Sequence, residues 1–191
     1  MSDTGTTDLH VVRPATRADA DGARSVILDT LYQVLGTGFI PRWHRDVIDM
    51  DAAYFDNPRQ QLFVAEAADG RIVATAAVRA DGPQSPPHPP WLAERYPSGT
   101  TAQIFRVYVR PEHRRHGLAR ELVRLACRFV AETPGYDTIY LHTNTAIEGA
   151  EPFWRSVAEE VYDGRTDPRY SPAVHFEIPI PDRHEVPATR S

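Results

Sequence analysis

The residues with the most chemical content stand together between Val107 and Leu122. Val107, Tyr108 and Val109 read as the apolar end of a strand, Pro111 forces a bend, and Gly117 and Ala119 open a helix. Arg114, Arg115 and Arg120 add full positive charges. A strand, a sharp turn and a helix start in this order make successive amides converge, and the first amides of a helix have no partner inside it. The helix dipole adds about half a positive charge at the same place. Small residues at Gly117 and Ala119 let an anionic oxygen approach the main chain closely. The chemistry this predicts is capture of a small polyanion by Arg114, Arg115, His116, Gly117, Leu118, Ala119 and Arg120.

Charge supports the same place. From Arg106 to Val130 seven arginines stand against Glu112 and Glu121, an excess of +5 in a chain of net charge -5, which leaves -10 elsewhere. A solvated helix face explains such a segment equally well by charge alone. The chain has no lysine, so all 21 basic residues are arginine and no side-chain amine is available as a base.

The elements that must position this segment follow from periodicity. Leu9 to Arg13 reads as a strand, and Thr16 with Asp19 as a capping box opening a helix through Ala23, Val26, Ile27 and Leu31. A second helix is expected from Arg42 to Phe55. Strands follow at 61–66 and 71–78 around the Asp69-Gly70 turn, then a proline-rich loop at 81–100, a strand at 102–109 and an amphipathic helix at 117–131. The chain closes with a strand at 138–143, a short helix at 150–157 and strands at 160–162 and 174–178. This order predicts an α/β fold with a mixed, mostly antiparallel sheet flanked by helices. The expected organisation is a flexible N-terminus at 1–8, one domain at 9–180 carrying the 81–100 insertion, and an irregular tail at 181–191.

Composition narrows the class. At 191 residues with 41% hydrophobic and 25% charged residues, the chain suits one ordinary globular domain. No apolar run approaches the roughly 18–20 residues that cross a bilayer. Residues 1–5 lack a basic stretch followed by an apolar one, which predicts no signal peptide. A lone cysteine, Cys127, excludes an internal disulfide and suits a cytoplasmic location. The acidic balance predicts no nucleic-acid partner, and nothing predicts a membrane partner or a metal.

The 114–119 segment resembles the acyl-CoA pyrophosphate loop of the GCN5-related N-acetyltransferase (GNAT) superfamily, whose pattern Gln/Arg-x-x-Gly-x-Gly/Ala is matched by Arg114, Gly117 and Ala119. The flanks Val109, Pro111 and Leu122, the opening Val12 to Thr16 with Asp19, and the element order along residues 9–178 are similar too. The resemblance implies an acetyl-CoA-dependent N-acetyltransferase in which an amine attacks the thioester directly. It also admits a longer acyl-CoA donor, or an acyl-CoA-binding module without turnover. It implies that the sheet splays between the strands at 102–109 and 138–143, that pantetheine pairs with Val107 and Val109, and that the pyrophosphate sits on residues 114–120. Asn144 is the expected further cofactor contact, and Val107 the expected oxyanion donor. The acceptor is then a small-molecule amine, and dimers are common in the family.

Two positions depart from the family. Trp154 stands where Tyr often serves as the acid, and an indole cannot deliver a proton near neutral pH. Gln103 stands where the histone-acetylating branch has a Glu base. His142 and Tyr140, which share one face of their strand, are the remaining catalytic candidates, with ordinary strand residues as the alternative. Trp43 and His44 are candidates for substrate contact, His175 is a similar late-strand histidine, and Cys127 reads as a buried packing residue. The 81–100 loop is expected to cover the acceptor side, offering Trp91 and Tyr96 as packing surfaces.

Overall fold

The computed structural model describes residues 10–181. The expected flexible N-terminus at 1–8, and the tail at 181–191 except its first residue, lie outside them. In chain order the elements are β1 (His10–Pro14), α1 (Ala20–Asp29), α2 (Arg45–Ile48), β2 (Gln61–Ala67) and β3 (Ile72–Arg79). They continue with α3 (Pro90–Arg95), β4 (Thr101–Val109), α4 (Leu118–Glu132), β5 (Thr138–Thr143), α5 (Ala150–Arg155), β6 (Glu159–Asp163) and β7 (Val174–Ile178).

All seven strands form one sheet in the order β1-β2-β3-β4-β5-β7-β6. Only β4 and β5 run parallel, and α4 is the crossover that a parallel pair requires. The other neighbours are antiparallel, as expected. The apolar stripe of α4, with Leu118, Leu122, Val123, Ala126 and Val130, packs on Phe63, Val78, Ile104, Ile139 and Leu141. Leu122 is fully buried there, so truncating it to alanine costs on the order of 2–5 kcal/mol. The opposite face is covered by Ala23, Val26, Ile27 and Leu31 over Leu62, Val64 and Ala77. The capping box is present: the Thr16 amide donates to Asp19 Oδ2 at 2.8 Å. Arg13 on the same carboxylate holds Asp19 down to about 2.

Two expectations need correction. The continuous helix from Arg42 to Phe55 is broken into α2 and a turn of π-helix at Asp51–Phe55. Asp49 leaves the helical region (φ -118, ψ 79), and its carboxylate accepts the Ala52 amide at 3.1 Å. A short acidic side chain that competes for main-chain amides ends one helix and starts the next turn. The 81–100 segment is not wholly irregular, because Pro90 sits at the first position of α3, where a missing N–H costs nothing. Leu92 and Tyr96 from this segment are buried against Tyr140 in a small third core.

Candidate active site

The pairing of β4 with β5 runs from Thr101↔Thr138 to Gln103↔Tyr140 and then stops. Beyond it the two strands continue unpaired to Val109 and Thr143, so the sheet opens into a wedge whose apex lies at Gln103 and Tyr140. On its other edge β4 pairs with β3, with a register shift between Thr75 and Ala77. Arg106 at this bulge has φ 55. Its carbonyl accepts the buried Thr75 hydroxyl at 2.8 Å. Its guanidinium forks onto Asp46 at 2.9 and 3.0 Å, and Asp46 also accepts Tyr54 Oη at 2.7 Å. The left-handed conformation costs a non-glycine residue about 1–2 kcal/mol, and these bonds hold it.

The bulge decides where main-chain groups point. The Arg110 amide donates to the Val73 carbonyl at 3.0 Å, so Tyr108 and Arg110 turn toward β3. Strand residues alternate, so Val107 and Val109 turn their N–H and C=O groups toward the open wedge.

At the wide end of the wedge stands the loop before α4. Arg115 and Gly117 both have positive φ, 66° and 75°. Among the described residues no acceptor is found for any amide from Arg115 to Arg120, and the first helix amide with a main-chain partner is Glu121, bonded to Gly117. A side chain at Gly117 would project into open space and would be strained by the backbone angle. These are the features of an anion cradle. The local charge is sharper than the sequence count. Arg106, Arg110 and Arg124 are tied to Asp46, Asp29 and Glu121. Among the described residues, Arg114 and Arg120 bond only the Val109 carbonyl and the Ser156 hydroxyl, respectively. Leu118 contributes only its amide, because its side chain lies in the core.

On the sheet face away from α4, side chains cluster behind the apex. Tyr140 Oη lies 2.6 Å from His175 Nδ1 and 3.3 Å from His142 Nδ1. The His88 ring, brought in by the 81–100 segment, is 4.8 Å from those of both His142 and His175. Burial and mutual repulsion hold His142 well below its ordinary value, and burial pushes His175 down to about 3. Burial raises the Tyr140 hydroxyl far above the ordinary phenol range. These groups are neutral near pH 7, and two of their nitrogens, His88 Nδ1 and His175 Nε2, are buried with no hydrogen-bond partner among the described residues. Sequence pattern pointed to Tyr140 and His142. It gave no sign of His88, which joins them only through the fold.

The other expected residues fall as follows. Trp43 is 55% exposed and its carbonyl accepts Arg106 Nη2 at 3.3 Å. His44 is buried and its Nδ1 accepts the Ile40 amide at 2.8 Å, which places it in the turn before α2. Asn144 is exposed after β5, and its side-chain oxygen accepts the Ala146 amide at 2.9 Å. Trp154 is buried in the α4-side core. Cys127 is buried, and its thiol is pushed up to about 11, which makes it unreactive. Trp91 is partly exposed and packs edge-on against Tyr162, while Tyr96 is buried.

Residues 28–158 match the Acetyltransferase (GNAT) family. N-acetyltransferase 8 of Rattus norvegicus is 30% identical over 144 residues, covering 72% of this chain and 59% of the relative. The Mus musculus protein of the same name is 29% identical over 143 residues, covering 72% of this chain and 57% of the relative. The chain thus spans less than two thirds of the length of these relatives. A GNAT-family acetyltransferase from Staphylococcus aureus Mu50 shares the fold at a TM-score of 0.67 and 14% identity, covering 88% of this chain and 98% of that one. No helix among the described residues is long and apolar enough to cross a membrane.

Proposed function

Since the chain belongs to the Acetyltransferase (GNAT) family, we propose that it transfers an acetyl group from acetyl-CoA to the amine of a small molecule. The observation that carries this reading is the run of unpartnered amides from Arg115 to Arg120 at the mouth of the β4–β5 wedge. Those amides, with Arg114, Arg115 and Arg120, suit a pyrophosphate. Val107 and Val109 present a strand edge without a strand partner, touched only by the long contact from Arg114 Nε to the Val109 carbonyl among the described residues, on which an extended chain such as pantetheine adds as a further strand.

Acetyl-CoA supplies an acetyl group activated as a thioester. The Val107 N–H stabilises the oxygen that gains negative charge. One N–C bond forms, one C–S bond breaks, the thiol departs as coenzyme A and the amine loses one proton. Trp154 is too deep in the core to donate to sulfur, and a thiol needs little help to leave at its ordinary pKa of about 8.5. The carboxylates near the apex are engaged, Asp46 by Arg106 and Glu177 by Tyr96 and Arg95. The amine proton therefore passes to water in the wedge.

Titration calorimetry with acetyl-CoA, together with release of free thiol on adding an amine panel, tests the reading. Wild-type protein should bind and turn over. Gly117→Glu should weaken binding by at least about a hundredfold, through strain and a misplaced negative charge. Gly117→Asn tolerates the left-handed angle and stays neutral, so it should lose far less. Wild-type protein indifferent to acetyl-CoA, or a Gly117→Glu variant that binds it normally, would overturn the assignment.

A further inference from the structure

Three side chains, Arg79, Gln103 and His142, meet on adjacent strands at the wedge apex, and the first is a cation whose ion pairing among the described residues is a single loose contact. Arg79 ends β3 and pairs in register with Gln103, which in turn pairs with Tyr140, two residues from His142. The Arg79 guanidinium lies over the Phe105 ring, 4.5 Å from its centroid. Its Nε donates to Gln103 Oε1 at 2.9 Å. Among the described residues its two Nη groups make no hydrogen bond. Asp81 faces it loosely, with Oδ2 3.9 Å from Arg79 Nε, while Asp81 Oδ1 accepts the Ser98 hydroxyl, the Gly82 amide and the Gln84 side chain. Asp46 is no substitute, because Arg106 and Tyr54 share it. The result is an arginine fork held by stacking and one hydrogen bond, a third exposed, with its paired donors open.

The same fork settles the state of His142. A guanidinium only donates, so Gln103 must turn its oxygen to Arg79 and its NH2 to His142. That NH2 lies 3.4 Å from His142 Nδ1, which must then offer a lone pair. The neutral ring accordingly carries its proton on Nε2. His142 is half-buried, and its Nε2 is the nitrogen left to meet a ligand. Arg79 and His142 thus present two kinds of donor on the face away from α4, one charged and forked, one neutral.

We propose that Arg79 and His142 recognise a carboxylate, so that the acceptor is an amino-acid-type amine whose nitrogen lies within a few bonds of that carboxylate. A planar fork matches a carboxylate through two parallel hydrogen bonds, and lysine does not reproduce this. The inference rests on the transferase reading and names the substrate class of that site.

The test sets a panel of L-amino acids beside their amides, with acetyl-CoA saturating, for wild type, Arg79→Gln and Arg79→Lys. Wild-type protein should prefer each acid over its amide by at least about tenfold in kcat/KM. Arg79→Gln should lose that preference through KM for the acid, with KM for acetyl-CoA and thermal midpoint held, and Arg79→Lys should restore only part of it. A readout independent of turnover is calorimetry on the CoA-loaded protein, where N-acetyl-phenylalanine should bind more tightly than its amide in wild type and equally with it in Arg79→Gln. Equal treatment of acids and amides by wild type in both measurements, or an unchanged preference in Arg79→Gln, overturns the assignment alone. Failure of acetyl-CoA to bind at all would overturn the transferase reading with it.

Discussion

At the scale of single residues, Trp154 separates packing from chemistry. Its side chain is buried and lies edge-on to Phe153, with ring centroids 4.9 Å apart. If no proton crosses this position, Trp154→Phe should leave kcat within about twofold and lower stability by about 1 kcal/mol, the cost of a smaller aromatic in a filled core. Steady-state kinetics beside a thermal melt checks it, and a loss of tenfold or more in kcat with little change in melting would make Trp154 part of the reaction. Residues differ in how legible they were. Gly117 was readable because a left-handed backbone angle leaves a mark on residue type. Arg79 was not, because its significance lies in two Nη groups that the fold leaves without a hydrogen bond among the described residues. The bond from the Ile40 amide to His44 Nδ1 was not legible either, because it depends on the turn that the chain makes before α2.

Among the elements, the bulge in β4 ties the strand edge at Val107 to the turn that carries Trp43. Thr75 holds the Arg106 carbonyl and Asp46 holds its guanidinium, while the Trp43 carbonyl reaches the same group. Removing the hydroxyl leaves that buried carbonyl short of a partner and frees the peptide that presents the Val107 N–H. Thr75→Val should therefore lower kcat by about tenfold, less than the loss of an oxyanion donor outright, while KM for acetyl-CoA stays within about twofold. The carbonyl stretch of bound acetyl-CoA should shift less toward low frequency than in wild type. An unchanged kcat and an unchanged carbonyl stretch would disconnect the bulge from the reaction. Strands were legible from alternation and turn residues, and β2, β3 and β5 fall within a residue of their expected limits. The bulge was not, since nothing in the sequence marks Arg106 for a positive φ. The break at Asp49 left a faint signal, an acidic residue three before the amide it caps.

At the scale of the whole molecule, distant parts of the chain converge on neutral imidazoles, and acid should pull the fold apart there. His88 comes from the proline-rich segment, His142 from β5 and His175 from β7, and the groups facing them include Tyr140, Tyr162, Gln103, Arg79 and Asp163. All three histidines lie below the ordinary value of 6.5, first because burial disfavours the charged ring. An unfolded chain protonates them near pH 6.5, whereas the folded chain resists down to about 3 at His175. The unfolded state thus binds more protons in that window, so their contribution is complete above about pH 6.5 and drains away as pH falls. Each histidine that stays neutral in the fold steepens the loss by up to about 1.4 kcal/mol per pH unit. Asp19, held down to about 2 by Arg13, has the same sign but acts only below the ordinary carboxylate value of about 4. His10 is also lowered, by burial and by His113 and His116, so a variant is needed to assign the slope. Denaturant unfolding from about pH 7.5 to about pH 4.5 should show stability falling with acidity, and His175→Gln should flatten that fall whatever it does to stability at neutral pH. Wild type and variant falling in parallel would place the sensitive protons elsewhere, and the convergence of these three segments would then be a matter of packing alone.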